Sequence, residues 1–408
     1  MMDFPQLVKI RQLFSRDYIE NIEEELELRL NASGMLSRVK PGMRVAVTAG
    51  SRGIDRIPRI LKTVIDLLIA AGAKPFIVPA MGSHGGGTAR GQTEMLESLD
   101  ITEKSIGVPV VSSMDTVTLG KTSSGAPVFM DRNAYDADGI VVVNRVKLHT
   151  AYHGWVESGI CKMVAVGMGK KNGAETMHMY GLGEVITEAF RIARDTTGKI
   201  LFGVAILENA FDRTLDFKIS APEDFEQTDN ALLERCSSLI PRIPLQSFDI
   251  LIVDEMGKNL SGTGMDTNII GFWRRFGGEK NPDYKTLIVR DLTPESHGNA
   301  MGIGFADLIP QKLYDKIDLK ATYTNGIASN TWSIVRIPIT LESDRECILT
   351  ALEKLPAGSA RVIRIRNTLF LDELQVSENL LPALRGKKGI EIIGKSEPMR
   401  FDSEGNLV

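Results

Sequence analysis

The chain has 408 residues, of which 43% are hydrophobic and 25% are charged, a composition typical of a soluble globular protein that can bury large cores. The 48 basic and 52 acidic residues give a net charge of −4, which argues against a general nucleic-acid binder, because such proteins usually carry a basic surplus. At roughly 100–200 residues per domain, two or three domains are expected.

The cysteine content and the hydrophobic runs indicate where the protein works. Cys161, Cys236 and Cys347 are widely spaced and form no CxxC pair, which argues against a disulfide framework or a cysteine zinc site. The N-terminal residues contain no long apolar run of the signal-peptide kind. No stretch approaches the ~20 apolar residues that span a bilayer. We therefore expect a cytoplasmic protein without membrane contact.

Helical and strand-like stretches alternate in the first half of the chain, which predicts a parallel α/β architecture. In chain order, these stretches are a Glu-rich helix from about Arg16 to Leu30, a strand at Val45–Thr48, a helix at Ile57–Ala71, a strand at Lys74–Pro79, a helix at Thr88–Leu99, and strands at Gly139–Val143 and Leu201–Leu207. Gly107–Met130 has short β-like runs and predicts a small β excursion. Ala221–Leu239 predicts a polar helix that starts near Ser220.

A linker at Arg242–Gln246 precedes a second alternating region. Its predicted strands and helices are Asp249–Val253, Thr286–Val289, Gln311–Ile317, Leu341–Leu355, Ala360–Ile365 and Gly389–Ile393. We predict two α/β domains with largely parallel sheets and a cleft between them, one over residues 1–243 and one over 244–408. This prediction also allows the last residues of the chain to pack against the first domain.

Glycine-rich loops follow the first two predicted strands, where ligands bind in such sheets. Ser51-Arg52-Gly53 follows the first strand, and Gly82-Ser83-His84 follows the second. Histidine suits proton transfer near neutral pH, which makes His84 a candidate acid or base. The alternative is a turn residue that helps to cap the helix beginning at Thr88. The basic groups at Arg52, and at Arg56 and Lys170-Lys171, could bind phosphate or carboxylate, although a solvated surface role is the default for each.

The segment after Val143 carries the densest chemistry. His149 and His153 are four residues apart, and Glu157 continues the spacing, which is a weak metal-site pattern because HxxxH is common and Gly154 interrupts a helix. Two partly buried loop histidines are an equal alternative. Lys162 is surrounded by small and apolar residues, and burial would lower its pKa and activate its amine. A lysine that reaches the surface from an amphipathic helix is the plainer interpretation.

Together these residues resemble the nickel-dependent lactate racemase family. In that family, a pyridinium mononucleotide whose thio groups grip nickel is attached to a lysine, and a histidine sixteen residues later completes the coordination. Lys162 and His178 have this spacing in KMVAVGMGKKNGAETMH. The resemblance implies a nickel-pincer nucleotide held by Lys162, with Ser51, Arg52 and Gly82 lining its site. It implies His84 and His149 as the two acid/base groups, with His153 as the competitor for the second position.

The resemblance weakens in the second domain, where Asp266–Arg274 is similar to the family's substrate-binding segment. It implies substrate contacts from Asn268 and Arg274, in addition to Arg52. Gly271 stands in the place of a glutamine and Arg274 in the place of a lysine, and the volume that Gly271 vacates suggests a longer or bulkier substrate than lactate.

The activity implied is racemisation or epimerisation of a small 2-hydroxy acid by hydride transfer to and from the cofactor, which purified protein need not retain. Two rival functions remain open. One is a divalent-metal hydrolase that uses His149, His153 and Glu157; the other is a non-catalytic protein that binds a nucleotide or hydroxy acid. A homo-oligomer is also left open.

Overall fold

The computed structural model describes residues 4–408 and shows two compact units. One unit is the continuous segment Ser15–Ile240, and the other combines residues 4–14 with Pro241–Val408. Both are α/β with largely parallel sheets, as predicted.

The first strand, β1 (Gln6–Gln12), belongs to a different domain from the one predicted by the limits 1–243 and 244–408. Those limits placed it with the N-terminal domain, but it pairs antiparallel with strands formed by the end of the chain. The strand suits that sheet, because Val8 and Ile10 are buried there while Lys9 and Arg11 reach solvent.

The Ser15–Ile240 unit has a central sheet, a two-stranded ribbon and surrounding helices. Its strands are β2 (Arg44–Ala49), β3 (Lys74–Pro79), β4 (Thr116–Lys121), β5 (Pro127–Asp131), β6 (Gly139–Arg145), β7 (Ile200–Glu208) and β8 (Thr214–Ser220). Its helices are α1 (Ile22–Ser33), α2 (Ile57–Ala70), α3 (Ala89–Ser98), α4 (Glu103–Ile106), α5 (Arg132–Tyr135), α6 (Ile160–Lys162), α7 (Lys170–Tyr180), α8 (Leu182–Thr197) and α9 (Phe225–Leu239).

The central sheet has the order β3-β2-β6-β7-β8, with only β8 antiparallel to its neighbour. Successive residues of each strand point to opposite faces, so Val141 joins a core beneath α2 while Val142 joins a core beneath α8. Both faces are buried, which explains the almost continuous apolar strands. The sheet presents the carboxyl ends of β2, β3 and β6 at a common edge.

Of two predicted elements of this unit, one agrees with the structure and the other differs from it in its first residue. The excursion at Gly107–Met130 contains the antiparallel pair β4 and β5, as predicted. The first helix starts at Ile22 and not near Arg16. The preceding residues are held in an extended segment, where the side-chain amide of Asn209 donates to the carbonyl of Asp17.

The other unit is built around one mixed sheet of order β12-β11-β10-β9-β13-β14-β1-β15, in which the strands from β12 to β13 are parallel. Its remaining strands are β9 (Ile250–Val253), β10 (Thr286–Val289), β11 (Leu308–Pro310), β12 (Ile339–Leu341), β13 (Val362–Ile365), β14 (Glu373–Ser377), β15 (Ile390–Ile392) and β16 (Glu397–Pro398). Its helices are α10 (Thr267–Ile270), α11 (Trp273–Phe276), α12 (Gln311–Tyr314), α13 (Leu319–Ala328), α14 (Asp344–Leu352) and α15 (Leu381–Leu384). Within residues 4–408, no helix has the length and apolar character needed to cross a bilayer.

Candidate functional site

Three loops leave the common edge of the central sheet, and they carry the residues predicted to be functional. The loop after β2 holds Ser51 and Arg52, and the loop after β3 holds His84. The loop after β6 runs from residue 146 to 159 and leads into α6, which ends at Lys162. Neighbouring parallel strands bring such loops together, so the sheet itself assembles the site.

His84 is bound to the neighbouring loop by its side chain. Its Nδ1 lies 2.6 Å from Oγ of Ser51, and the imidazole remains exposed. It does not cap the following helix, because the hydroxyl of Thr88 accepts the N–H of Gly91 there. The helix is thus capped by Thr88, while His84 lies in the turn before it, where the N–H of Gly87 donates to its carbonyl at 3.2 Å.

Gly82 has a packing role in this loop. Its φ of 60° lies in the left-handed region, and a Cβ atom there would come within 3.1 Å of Ala174. Its N–H donates to the carbonyl of Gly167 at 3.0 Å. The residue is buried, so it lets the His84 loop approach the segment after Lys162.

Glu157 organises the loop after β6. Glu157 is buried, with only 3% of the residue exposed. Oε2 accepts the backbone N–H of His149 at 2.8 Å, and Oε1 lies 2.8 Å from Nδ1 of His153. The segment is a loop and not a helix, so the two histidines are placed by this one carboxylate and not by helical spacing.

The hydrogen bonds of the two histidines fix different tautomers. Nδ1 of His149 accepts the N–H of Ala151 at 3.0 Å, so the neutral ring carries its proton on Nε2. Nδ1 of His153 faces Glu157, and a neutral ring that donates from Nδ1 to an ionised carboxylate keeps its lone pair on Nε2. In their neutral forms, His149 therefore carries its proton on Nε2 and His153 carries it on Nδ1.

Tyr152 links this loop to Lys162. Its ring packs on His149 with the centroids 4.4 Å apart, and Nζ of Lys162 lies 5.7 Å from its centroid. The hydroxyl donates to the carbonyl of Glu157 at 2.5 Å. Burial raises the pKa of Tyr152, so the phenol stays protonated and keeps that hydrogen bond.

Lys162 carries an activated amine. Burial, followed by the positive charge of Arg52, lowers its pKa to about 7, and the negative charge of Glu157 opposes the shift. The contact of the Lys162 amine with the ring of Tyr152 joins the end of α6 to the loop after β6.

A buried carboxylate outside the loops anchors α6. Oδ1 and Oδ2 of Asp229, on α9, accept the N–H groups of Ile160 and Cys161 at 3.0 and 2.8 Å. Gly159 has a φ of 109°, and a Cβ there would clash with this carboxylate. Burial raises the pKa of Asp229 to about 7. This pairing fixes the turn from which Lys162 projects.

The backbone widens immediately after Lys162. Met163–Gly167 forms a π-helical turn in which the N–H of Met168 donates to the carbonyl of Met163 at 2.9 Å. Such turns are rare in proteins, and those that occur are often found at functional sites. His178 follows in the last turn of α7, where its side chain is exposed.

The structure corrects the expectation for Lys170-Lys171. Lys170 is fully buried and donates to the carbonyl of Pro79 at 2.6 Å, so it is not a surface group that binds phosphate. Lys171 is exposed, with its amine 3.9 Å from Glu175. Among the side chains that the structure describes, which do not include Glu184, no group of three or more histidines, cysteines, aspartates or glutamates is arranged to hold a metal ion by itself.

Comparison with known proteins shows what the first part of the chain is similar to. Residues 9–188 match the family model of the lactate racemase N-terminal domain. This part of the chain is thus similar to that domain, and most of it lies in the Ser15–Ile240 unit, which we call the racemase domain for this similarity. The lactate racemase apoprotein from Thermoanaerobacterium thermosaccharolyticum is a similar solved structure, with 10% identity, a TM-score of 0.48, and coverage of 80% of this chain and 92% of that one. A search of curated proteins gives no match.

The racemase domain contains most of the predicted site, and the remaining two residues lie in the other unit. Asn268 donates from Nδ2 to Oδ1 of Asp266 at 2.9 Å, at the start of α10. The side chain of Arg274 is 7% exposed, and its Nη1 lies 2.6 Å from Asp307. The guanidinium also stacks 4.5 Å from the ring of Trp273. The guanidinium of Arg274 is therefore already engaged by Asp307 and Trp273.

The extra volume predicted at Gly271 is not present. A Cβ at this position would lie 2.5 Å from Nε1 of Trp273, so the indole already occupies the space. Trp273 is held there by a hydrogen bond from Nε1 to the carbonyl of Pro282 at 2.9 Å. The inference of a bulkier substrate from this glycine is therefore wrong.

Sequence reasoning missed three parts of the racemase domain's site. Asp229 is more than 60 residues from the helix that it anchors, and no local pattern marks it. The spacing of Glu157 from His149 and His153 predicts only a metal ligand. Lys170 lies in the same glycine-rich run as Lys162, which points to a functional position, but a lysine in such a run is by default predicted to be a surface cation.

Proposed function

We propose that this protein inverts the carbinol carbon of a small 2-hydroxy acid, as a racemase or epimerase that uses a nickel-pincer nucleotide. One observation carries the proposal: the amine of Lys162, whose pKa burial and the charge of Arg52 lower to about 7, lies 5.7 Å from the ring of Tyr152 in the loop that holds two histidines. A lysine in this state is a nucleophile at neutral pH, and it occupies the position that the racemase resemblance implies for the cofactor lysine.

The residues fit that cofactor by their chemistry. The Lys162 amine is suited to covalent attachment, the Arg52 guanidinium to a phosphate, and the exposed imidazole of His178 to a nickel ion held otherwise by sulfur. When bound, the cofactor supplies the electron sink that accepts and returns the hydrogen of the carbinol carbon. The chain itself must supply proton transfer, orientation and charge.

Two proton-transfer groups are needed, one for each face of the planar 2-keto acid. His84 is one of them, with its ring oriented by Ser51 at 2.6 Å. It takes the hydroxyl proton of one enantiomer, and the second group returns a proton to the same oxygen when the other enantiomer forms. General acid–base help of this kind is typically worth ~10²–10⁴-fold.

The contacts favour His153 over His149 as the second proton-transfer group. The pairing of His153 with Glu157 leaves a lone pair on Nε2, and the carboxylate stabilises the imidazolium that forms. His149 has its proton on Nε2 and suits a fixed hydrogen-bond donor to the substrate's oxygen atoms. Arg52 completes the set as the residue that attracts the substrate carboxylate.

The first experiment tests attachment of the cofactor. The protein is produced together with cofactor-building enzymes, and its intact mass and nickel content are measured for the parent, Lys162→Ala and Lys171→Ala. We expect the parent and Lys171→Ala to carry one nickel nucleotide and Lys162→Ala to carry none. A Lys162→Ala variant that retains the group would overturn the lysine assignment, and stoichiometric zinc in the parent would favour the hydrolase alternative.

The second experiment tests the reaction. Loaded protein is given a panel of enantiopure 2-hydroxy acids, and the enantiomeric ratio is followed by chiral chromatography. A substrate deuterated at the reacting carbon should invert more slowly and should keep its deuterium in buffered H₂O. Rapid exchange with solvent would indicate abstraction of the carbon-bound proton instead. Ligand binding without turnover across the panel would favour the non-catalytic alternative.

A further inference from the structure

We propose that Lys170 is a positioning residue that fixes the His84 loop through a buried hydrogen-bond network. The proposal rests on the proposed role of His84, but not on any contact between Lys170 and a substrate. Lys170 is 0% exposed and begins α7, the helix that carries His178. Its φ of 53° lies in the left-handed region, a conformation that a buried lysine adopts only where its surroundings hold it.

The ammonium of Lys170 contacts both ends of the His84 loop. It donates directly to the carbonyl of Pro79, the last residue of β3, at 2.6 Å. It also donates to Oε1 of Gln92 at 3.1 Å, and Nε2 of Gln92 donates to the carbonyls of Gly82 at 2.8 Å and His84 at 3.4 Å. One side chain therefore holds the loop at its start directly and near His84 through Gln92.

A single carboxylate balances this charge. Oδ2 of Asp131 lies 3.0 Å from Nζ of Lys170, and both side chains are fully buried. Burial lowers the pKa of Lys170, and Asp131 opposes that shift. The backbone N–H of Asp131 donates to the carbonyl of Met168 at 2.6 Å, just after the π-helical turn. The network thus connects the His84 loop to the segment that carries Lys162.

The cost of burying two charges makes this network informative. A buried ion pair adds little net stability compared with apolar residues of similar size, whereas removal of one partner leaves an uncompensated charge. A structural role alone therefore predicts that removal of both charges restores the native state. A positioning role predicts that stability returns while the His84 loop remains loose.

The experiment uses the full chain without cofactor or substrate, so it does not depend on the proposed activity. The variants are Lys170→Met, Lys170→Met/Asp131→Asn and Gln92→Met, with Lys171→Met as the matched control at an exposed neighbour. Asp131→Asn keeps an acceptor for the N–H of Ala134, which Oδ1 of Asp131 binds at 3.0 Å. The readouts are amide hydrogen exchange of residues 80–87, the pKa of His84 by NMR of ¹⁵N-histidine, and the thermal midpoint.

We expect Lys170→Met to lower the thermal midpoint and to speed exchange of residues 80–87 about tenfold or more, the effect of losing a hydrogen bond from a charged donor. The double variant should recover its midpoint but keep the fast exchange and a shifted pKa of His84. Gln92→Met should loosen the loop while leaving the ion pair, and Lys171→Met should match the parent. A parent-like exchange rate of residues 80–87 in the double variant or in Gln92→Met would overturn the proposal. This test remains valid if Lys170→Met alone fails to fold.

Discussion

Nδ1 of His153 lies 2.8 Å from Oε1 of Glu157, so the ring is oriented by a carboxylate that is itself buried. The same carboxylate binds the backbone of His149, but the ring of that histidine is turned to accept from Ala151. Two histidines four residues apart therefore have different chemistry, and the difference can be measured.

Replacement of His153 should cost more activity than replacement of His149. We expect His153→Ala to lower kcat for racemisation by ~10²–10⁴-fold, because a proton-transfer group is lost. His149→Gln keeps a donor and should lower kcat by less. The measurement is the initial rate of inversion in each direction for loaded protein with matched nickel content. Equal losses in the two variants would count against the tautomer assignment.

The Lys162 amine should be the most reactive lysine in the racemase domain at neutral pH. Its pKa of about 7 leaves much of it neutral there, and an acylating reagent should modify it faster than exposed Lys171. Arg52→Gln removes a positive charge that lowers this pKa, so modification at pH 7 should slow. Peptide mass spectrometry after a short pulse measures both rates, and a faster rate in Arg52→Gln would contradict the charge argument.

The same shift predicts a pH dependence of stability. The pKa of Lys162 is about 7 in the folded chain, compared with the ordinary lysine value of 10.5 in the unfolded chain. Between these pH values the unfolded chain holds a proton that the folded chain has lost, so the free energy of unfolding should rise with pH in that window. Lys162→Met should lack this rise. Denaturant unfolding at pH 7 and pH 9.5, for parent and variant, makes the comparison.

Asp229 should show the opposite trend. Its pKa rises from 3.8 to about 7 on folding, so between these values the folded chain holds the extra proton and stability falls as pH rises. The slope approaches about 1.4 kcal/mol per pH unit, and Asp229→Asn should abolish it. Asp229→Ala should also slow modification of Lys162, because α6 loses its anchor. An unchanged modification rate would separate Asp229 from the site.

Arg274 should affect stability more than substrate binding. Arg274→Ala removes the contacts with Asp307 and the stacking on Trp273, and we expect a loss of about 1–3 kcal/mol. KM should stay near the parent value for any substrate that is found. Arg52→Ala serves as the contrast and should raise KM. If Arg274→Ala raised KM severalfold with an unchanged thermal midpoint, the resemblance-based assignment would be right after all.

The sequence predicted the frame of the racemase domain because local signals carried it. Apolar strands followed by glycine-rich loops mark parallel strands, and the loops with Ser51 and His84 meet because neighbouring strands end at one edge. The spacing of Lys162 and His178 indicated the family, which the match over residues 9–188 confirms.

What the sequence could not show depends on long-range contacts. The anchoring of Lys162 by Asp229 joins residues far apart in the chain, and no periodic pattern encodes it. The burial of Lys170 depends on Asp131 and on a carbonyl, so composition alone suggested a solvated cation. At Gly271, the side-chain space depends on a neighbour's rotamer, and Trp273 fills it.

The position of β1 gives the chain an order of events during synthesis. This strand is made before the Ser15–Ile240 segment, whereas its partners β14 and β15 are made after that segment. The intervening Ser15–Ile240 segment is continuous and can fold before the partner strands of β1 have been synthesised. Gln12 donates to the carbonyl of Arg242 at 3.0 Å, so the two points where this segment is inserted lie side by side. The segment is therefore a natural insertion, suited to excision as an independent fragment with the cut ends rejoined by a short linker.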